Sequence, residues 1–410
     1  MLLLAALLGA GAPGPAGAQV PDCPPVEPGI DLPGEPAEDG GAPSILVVIP
    51  KDATGAVGTA GLELGPGAEI VESRFSPLLC ATVARVSGAA GASPASLVVR
   101  LPEGAAAVPD DAYAPEAEPE PEHEPEPETK PVAGAPPDPK PDPYRKQQWA
   151  LDALGADAAQ RVTLGENARV AVLDTRANDA HADLALRVAG AAQARAGQHG
   201  TLVAGIIGAV RGNGAGIVGL APRAALVSIP VCEATPRGDL CRLYDVVNGL
   251  DLAWGERAQI VNLSLVGPPN RVLERAVRRL DTLGVAVVAA AGNRRGTTPA
   301  YPGAYPWVIG VAATDRGGRL APSGPVVDLT APGVEIVSTS ANGGFAFASG
   351  SSLAAAHVSG VLALLTSASE GDVASARRAL FGAARRANAG APPALAPLCD
   401  ALAKLGKTCD

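Results

Sequence analysis

The sequence predicts an α/β fold in which helices cover both faces of a parallel β-sheet. Aromatic residues make up only 3% of the 410 residues, while alanine and glycine are abundant, so small and branched side chains must fill the core. In the C-terminal part of the chain, short continuous apolar runs alternate with helical stretches. A smaller unit and a proline-rich segment precede this region, so the chain divides into several parts.

The first residues have the pattern of a signal peptide. An apolar run from Leu2 to Leu8 is too short to span a bilayer. It is followed by Ala16-Gly17-Ala18, which matches the small-x-small pattern of a signal-peptide cleavage site. We predict a signal peptide over residues 1–18 and a secreted or periplasmic protein. No basic residue precedes the apolar run, and a buried helix is the alternative, but glycine and proline at positions 9 to 15 would break it. No other run reaches the ~18 apolar residues of a membrane span, so we predict none.

Residues 19–113 predict a small α+β unit. Ser44 to Pro50 and the residues near 69–72 have the composition of strands. The run 93–101 predicts a helix, and residues 104–108 complete the unit.

Residues 114–143 predict a disordered linker. Between Pro115 and Pro143, eleven prolines and seven glutamates occur in 29 residues, so the segment has too little apolar surface to fold. With two aspartates and two lysines its net charge is 2 − 9 = −7, out of −10 for the whole chain. The acidity therefore does not indicate a cationic substrate. Because there is no basic patch either, we predict no nucleic-acid partner.

Residues 144–388 predict the main domain, and residues 389–410 a C-terminal appendage. The predicted parallel strands are residues 170–174, 225–231, 260–265, 285–289 and 308–312. In such sheets, functional sites lie beyond the carboxyl ends of the strands. Asp174 ends one of these strands and Asn293 follows another, so both are expected at this edge.

Six cysteines favour disulfides in an exported chain, although free buried thiols remain an alternative. Fifteen pairings are possible. Spacing favours Cys232 with Cys241 and Cys399 with Cys409, which leaves Cys23 with Cys80. No CxxC pair or Cys/His cluster indicates zinc.

Only four histidines could act as a general base. His123 lies in the predicted linker, while His181 and His357 have apolar neighbours typical of structural histidines. His199 begins a run of small and branched residues that predicts a buried helix, and the start of such a helix holds a base rigidly.

Ser352 lies in a turn of small residues that leads into an apolar helix. A serine at a helix start is usually an N-cap, but Ser351 and Ser352 together allow one residue to cap and the other to face a cleft. No Gly-x-Ser-x-Gly motif surrounds Ser352, so the nucleophile elbow of α/β-hydrolases is excluded.

These residues occur in motifs that resemble the subtilisin-like serine proteases, over roughly residues 144 to 385. The order of these residues along the chain, Asp, His, Asn, Ser, matches that family, in which the triad order Asp, His, Ser is already known. Four catalytic segments carry the resemblance: Val172-Leu173-Asp174-Thr175, His199-Gly200-Thr201, Ala290-Ala291-Gly292-Asn293 and Gly350 to Val358. Four others support it: Gly219-Leu220-Ala221-Pro222, Val261 to Leu265, Tyr301-Pro302-Gly303 and Ala331-Pro332-Gly333.

The resemblance implies an endopeptidase in which Ser352 is the nucleophile, His199 the base and Asp174 the residue that orients His199. Asn293 is implied as the side-chain donor to the oxyanion. The implied substrate pocket consists of Ser264, Leu265, Val266, Ala290, Ala291, Gly292 and Ala300. No acidic residue is among them, and Val266 and Ala300 are bulkier than the family's usual glycines. We therefore expect a small or medium apolar residue before the cut.

The resemblance also implies that the unit before the linker is a propeptide, which would make the protein a zymogen that binds its own N-terminal unit. A binding domain that the mature enzyme retains is the alternative. The substrates would be polypeptides, either in general digestion or in the processing of one partner. The triad needs no cofactor, and we predict no metal site, although Asp183 matches a residue that often binds calcium in the family.

Arg176 departs from the family, which has glycine there. A cation at this position is expected to compete for the Asp174 carboxylate. A peptide-binding pseudoprotease is therefore the alternative function.

Overall fold

The structure is a computed structural model that describes residues 29–30, 42–51, 58–115, 118–119, 140–191, 193–235, 238–386 and 391–409. The predicted signal peptide, residues 120–139 of the predicted linker, Cys23 and His123 lie outside these ranges.

The N-terminal part contains short strands, most of them in one sheet. The strands are β1 Gly29–Ile30, β2 Ser44–Pro50, β3 Glu63–Leu64, β4 Glu69–Ser76, β5 Ala81–Ser87, β6 Val98–Arg100, β7 Ala106–Pro109, β8 Ala112–Pro115 and β9 Glu118–Pro119. Five of them form a sheet in the order β1-β7-β2-β5-β4. We call residues 42–111 the N-terminal unit.

The remaining strands and the helices belong to the main domain, except for the last helix, which lies in the C-terminal segment. The strands are β10 Arg169–Asp174, β11 Leu186–Val188, β12 Ala225–Pro230, β13 Glu233–Thr235, β14 Gly238–Arg242, β15 Ile260–Leu263, β16 Leu265–Val266, β17 Ala286–Ala290, β18 Val308–Thr314, β19 Leu329–Pro332, β20 Ile336–Thr339 and β21 Phe345–Ser349. The helices are α1 Trp149–Ala153, α2 Ala156–Val162, α3 Gln198–Gly208, α4 Leu243–Gly255, α5 Arg271–Thr282, α6 Ser351–Ala368, α7 Val373–Ala383 and α8 Leu398–Ala403.

A parallel sheet of seven described strands, in the order β11-β12-β10-β15-β17-β18-β19, forms the centre of the main domain. Alternate residues of its strands pack on opposite faces. Val170 and Val172 face the side covered by α3 and α6, whereas Ala171 and Leu173 face the side covered by α4 and α5. Burial on both faces explains why the strands are continuously apolar. The predicted α/β architecture is confirmed.

The N-terminal unit packs on the α4 and α5 side of the main domain. In β2, Leu46 and Val48 join the core cluster that contains both helices, while Ile45, Val47 and Ile49 form a separate small core on the other face. The helix predicted over residues 93–101 is wrong. Only Pro94–Leu97 forms a 3-10 turn, because Val98 to Arg100 continue as β6, paired with β3.

The C-terminal residues pack against the main core. Leu398 and Leu402 of α8 are fully buried in the same cluster as α6, and the disulfide Cys399–Cys409 closes this segment. Helix α6 is long and apolar enough to cross a membrane, but 94% of its apolar window is buried inside the protein.

Candidate active site

The carboxyl edge of the central sheet brings together three of the polar residues singled out from the sequence. The parallel register pairs Val172 of β10 with Asn262 of β15, and Leu263 of β15 with Ala289 of β17. Asp174, Ser264 and Asn293 therefore follow one another across the same edge.

Asp174 and His199 form a buried hydrogen-bonded pair. Both Asp174 carboxylate oxygens lie 2.8 Å from His199 Nδ1, and the Thr175 N–H donates to Oδ1 at 2.7 Å. His199 is 5% exposed and Asp174 is 0% exposed. The other ring nitrogen, Nε2, has no hydrogen-bond partner in the described part of the chain. The ring is thus held through Nδ1, and Nε2 remains available for proton transfer.

Close backbone packing fixes the position of His199. The Gly200 N–H donates to Thr175 Oγ1 at 2.9 Å, and a Cβ on Gly200 would lie 2.0 Å from the Thr175 carbonyl oxygen. Glycine is therefore required after His199, because any side chain would push α3 away from the end of β10.

Ser352 lies over the strand next to Asp174. Its Oγ donates to the Ser264 carbonyl oxygen at 3.1 Å, and the Ser264 hydroxyl donates to the Ser352 carbonyl oxygen at 3.0 Å. Asn262 Nδ2 in turn donates to Ser264 Oγ, and its Oδ1 accepts from Ser359 Oγ. Sequence reasoning missed the roles of Asn262 and Ser359, which together tie the first two turns of α6 to β15.

Asn293 is attached to the same end of α6. Its Oδ1 accepts a hydrogen bond from the Ser351 N–H at 2.8 Å, which holds the carboxamide with its oxygen toward the helix. Gly292 before it has φ +86°, a left-handed conformation that favours glycine. This turn directs the chain from the end of β17 back toward Ser352.

The residues of the predicted substrate pocket lie on both sides of this centre. Ser264 connects β15 to β16, which consists of Leu265 and Val266. A Cβ on Gly292 would lie 3.3 Å from the Ala300 Cβ, so Gly292 and Ala300 are neighbours. Ala290 and Ala291 are fully or nearly fully buried behind them.

A strand from the N-terminal part of the chain occupies the groove beside these residues. Strand β8 lies between β14 and β16 and is antiparallel to both. Pro115 pairs with Leu265 and Ala114 with Val266, while Tyr113 pairs with Cys241. The ring of Tyr113 is 0% exposed, and its hydroxyl donates to the Pro268 carbonyl oxygen at 3.0 Å. These residues belong in part to the predicted linker, which is therefore not a free spacer at its start.

A second short strand continues on the other side of Ser352. In β9, Glu118 pairs with Ser349 and Pro119 with Ala348 of β21. Strands β8 and β9 thus pair with strands on the two sides of the nucleophile candidate, and Ser352 is 0% exposed.

Asp239 of β14 borders the groove on the side of Asp174. The β14–β8 pairing places Cys241 opposite Tyr113, and Asp239 lies two residues before Cys241 on the same strand. Burial raises the pKa of Asp239, the negative charge of Asp174 raises this pKa further, and His199 lowers it. The disulfide Cys232–Cys241, as predicted, closes the β13–β14 hairpin that carries this residue.

Arg176 does not compete for Asp174, contrary to the expectation from the sequence. Its Nη2 pairs with Asp179 Oδ1 at 2.7 Å. An acidic residue three positions further along the same turn draws the guanidinium away from the catalytic carboxylate candidate.

The remaining histidines and Asp183 have structural contacts. His357 is buried, its Nδ1 lies 2.8 Å from the Leu353 carbonyl oxygen, and burial lowers its pKa to about 4. His181 contacts the Gly344 carbonyl oxygen at 2.8 Å. The Asp183 carboxylate accepts from Asn213 Nδ2 and from the Ile217 N–H, and burial raises its pKa to about 7. Within the described residues, no three His, Cys, Asp or Glu side chains converge as metal ligands.

Comparison of the sequence with known proteins shows that this chain is similar to proteases. The family model of the subtilase family, Peptidase S8, matches residues 165–393. The chain is 37% identical to thermitase of Thermoactinomyces vulgaris over 251 residues, which is 58% of this chain and 88% of thermitase. It is 37% identical to subtilisin BL of Lederbergia lenta over 53% of this chain and 83% of that protein. It is 36% identical to the minor extracellular protease Epr of Bacillus subtilis over 53% of this chain and 35% of Epr.

Proposed function

Because this chain belongs to the subtilase family and is a serine endopeptidase, we propose that Asp174, His199 and Ser352 form its catalytic triad. The observation that carries this assignment is the joint placement of the three residues at one edge of the sheet. The Asp174 carboxylate fixes His199 through Nδ1, and Ser352, in the first turn of α6, contacts the end of the adjacent strand through the Ser264 carbonyl oxygen. In peptide hydrolysis, such a set splits one difficult step into two easier ones.

In the first step Ser352 Oγ leaves the Ser264 carbonyl and attacks the carbonyl carbon of the peptide bond. His199 Nε2 takes the hydroxyl proton, and the carbonyl oxygen becomes an oxyanion. Asn293 Nδ2 donates to this oxyanion, a contribution of roughly 10²–10³ in turnover. The C–N bond then breaks as His199 returns the proton to the leaving amine, and an acyl-enzyme remains.

In the second step a water molecule replaces the amine. His199 accepts one proton of the water molecule while the water oxygen attacks the acyl carbon. Collapse of the second oxyanion breaks the ester bond, and the proton passes from His199 back to Ser352 Oγ. Asp174 stays ionised and stabilises the imidazolium in both steps.

We further propose that the protein is made as a zymogen whose N-terminal unit acts as the propeptide. The seating of β8 and β9 across the groove supports this, since a substrate would need the same edges of β14 and β16. The unit is also anchored to α4 at a distance from the groove. Asp251 accepts hydrogen bonds from Arg74 at 2.6 Å, from the Ser76 hydroxyl at 3.1 Å and from the Leu78 N–H at 3.0 Å.

We propose export from the cytoplasm as well, on the signal-peptide pattern of residues 1–18. The similarity to a protease named as extracellular is in line with this. The location is tested by expressing the full chain and measuring protease activity in the separated medium, periplasm and cytoplasm. Activity confined to the cytoplasm would contradict it.

N-terminal sequencing tests the zymogen proposal. Active wild-type protein should begin between Pro115 and Glu118 or within the following linker, whereas the Ser352→Ala variant should keep the N-terminal unit covalently attached. Full activity of a chain that still carries residues 42–111 would instead make this unit a permanent domain. Casein hydrolysis lost in Ser352→Ala but kept in Ser351→Ala would support the assignment of the nucleophile.

A further inference from the structure

The β13–β14 hairpin forms a wall of the groove next to the catalytic carboxylate candidate. Its base is attached to Asp174, because the Val231 and Cys232 N–H groups donate to the Asp174 carbonyl oxygen at 2.9 Å and 3.3 Å. The disulfide between Cys232 and Cys241 then ties the second strand of the hairpin to the first. The position of β14 is therefore fixed relative to Asp174.

Asp239 lies on the face of β14 that carries the disulfide. Because side chains alternate along a strand, Asp239 points to the same side as Cys241, two residues further on. Cys241 is 0% exposed and belongs to the core cluster of the main domain, so this side faces the domain. The Asp239 side chain is partly buried, and its carboxylate interacts electrostatically with both Asp174 and His199. An acidic group therefore lies beside the two catalytic candidates.

The Asp239 carboxylate is an uncompensated charge. The other charged side chains described in this hairpin pair with each other, Arg242 with Glu233 at 3.8 Å. Among the described residues, Asp239 has neither an ion pair nor a side-chain hydrogen bond. Burial raises the pKa of Asp239, and the negative charge of Asp174 raises this pKa further. A cation placed beside Asp239 would stabilise its ionised form.

A polypeptide seated like β8 passes Asp239 before it reaches the nucleophile candidate. Strand β8 pairs first with Arg242 and then with Cys241, so it runs along β14 toward Asp239. Its last residue, Pro115, pairs with the first residue of β16, beside the carbonyl oxygen that accepts the hydrogen bond from Ser352 Oγ. The residues that such a chain presents to Asp239 therefore lie on the amino-terminal side of the cut.

Strand β8 itself offers Asp239 no cation, because its sequence is Ala-Tyr-Ala-Pro. The residues of the candidate pocket carry no charge either. In a substrate, lysine or arginine at this place would form a charge-assisted contact with a partly desolvated carboxylate, which the chain's own strand does not provide.

We propose that Asp239 selects polypeptide substrates that carry lysine or arginine on the amino-terminal side of the cut, ahead of the residue that enters the pocket. This specificity rests on the triad assignment above and adds a charged subsite to that site. The expectation of a small or medium apolar residue in the pocket itself is unchanged, because Asp239 is not among the pocket residues.

Two matched series of peptides test the proposal. Each keeps the Ala-Tyr-Ala sequence of residues 112–114 and carries lysine, or acetyl-lysine, at one of the positions that follow. The processed enzyme is used to measure kcat/KM, and mass spectrometry locates the cut. Acetylation removes the charge and keeps the aliphatic stem, so the ratio of lysine to acetyl-lysine reports the charge. Since partly exposed ion pairs are weak, we expect a ratio of about fivefold at one position before the cut at low salt, falling toward one as salt increases.

Variants of the hairpin assign this preference to one side chain. In Asp239→Asn the ratio should fall close to one, and Asp239→Glu should retain part of the preference. Glu233→Gln is the matched control, since it removes the same charge from the same hairpin. Glu233 is exposed, pairs with Arg242 and lies next to Cys232, hence on the other face of the hairpin. This control should keep the wild-type ratio.

Each alternative result is informative. A ratio of one at every position in the wild-type enzyme overturns the charged subsite while the endopeptidase function stands. A lysine preference that survives Asp239→Asn, or that is lost equally in Glu233→Gln, overturns the role of Asp239. Absence of cleavage of every peptide and of casein would instead contradict the proposed function.

Discussion

Tyr113 is expected to be the main anchor of the strand that fills the groove, and its removal should release that strand. The side chain is 0% exposed and its hydroxyl donates to the Pro268 carbonyl oxygen at 3.0 Å. Truncation of a buried aromatic residue to alanine costs roughly 3–5 kcal/mol, including about 1 kcal/mol for a lost hydrogen bond. Each 1.4 kcal/mol is tenfold, so Tyr113→Ala should raise the local opening constant of β8 by a factor of about 10² to 4 × 10³.

Hydrogen exchange of the Ser352→Ala zymogen measures this opening, because the chain stays uncut and the strand remains tethered. The amides of residues 112–114 should exchange faster in Tyr113→Ala by a factor of about 10² to 4 × 10³. In Tyr113→Phe, which loses only the hydroxyl contact, exchange should be about fivefold faster. Exchange in Tyr113→Ala within twofold of the parent would refute the reasoning.

Gly267 provides a second test of the same contact. A Cβ at this position would lie 2.3 Å from Tyr113 Cδ1. Gly267→Ala should therefore open β8 on its own, and it should have a much smaller effect when Tyr113 is already alanine. Additive effects of the two substitutions would show that the ring and the glycine do not share one site.

Three other outcomes follow from the structure. Burial raises the pKa of Asp245, beside Arg85 and Asp110 of the N-terminal unit, from 3.8 to about 6. The docked state therefore binds this proton more tightly than the released state. Retention of the cleaved unit should weaken as pH rises from 4 to 6, and Asp245→Asn should flatten this dependence in a pull-down at each pH. Arg176→Gly should change kcat/KM by less than about twofold, because the guanidinium pairs with Asp179; a tenfold loss would contradict this. The disulfide between Cys232 and Cys241 closes a loop of ten residues and stabilises the folded state by about 2.7 kcal/mol in the chain-entropy model. Replacing both cysteines by alanine should therefore lower Tm measurably. An unchanged Tm would show that the hairpin is held by other contacts.

The strands of the central sheet could be predicted because burial on both faces leaves a continuous apolar run in the sequence. Val170 to Asp174 is an example, since helices cover both sides of β10. The catalytic candidates were assigned for a different reason, because their motifs and the order of these motifs resemble those of the subtilisin-like serine proteases.

The seating of residues 112–115 and 118–119 could not be predicted, because this part of the sequence has the composition of a linker. The pairing of β8 depends on the edges of β14 and β16, which lie more than 120 residues away, and among residues 112–115 only Tyr113 has a buried side chain. The direction of Arg176 was missed for a related reason. Sequence proximity to Asp174 does not reveal that Asp179 is the better-placed partner.

Mapping of a fluorophosphonate adduct tests the central assignment most directly. The processed protein is treated with the reagent, and the modified residue is identified by mass spectrometry. The account predicts a single adduct on Ser352, absent from Ser352→Ala and much reduced in His199→Ala, because the hydroxyl needs the base to react. An adduct on Ser351, or no adduct in protein that is folded and has lost its N-terminal unit, would contradict it.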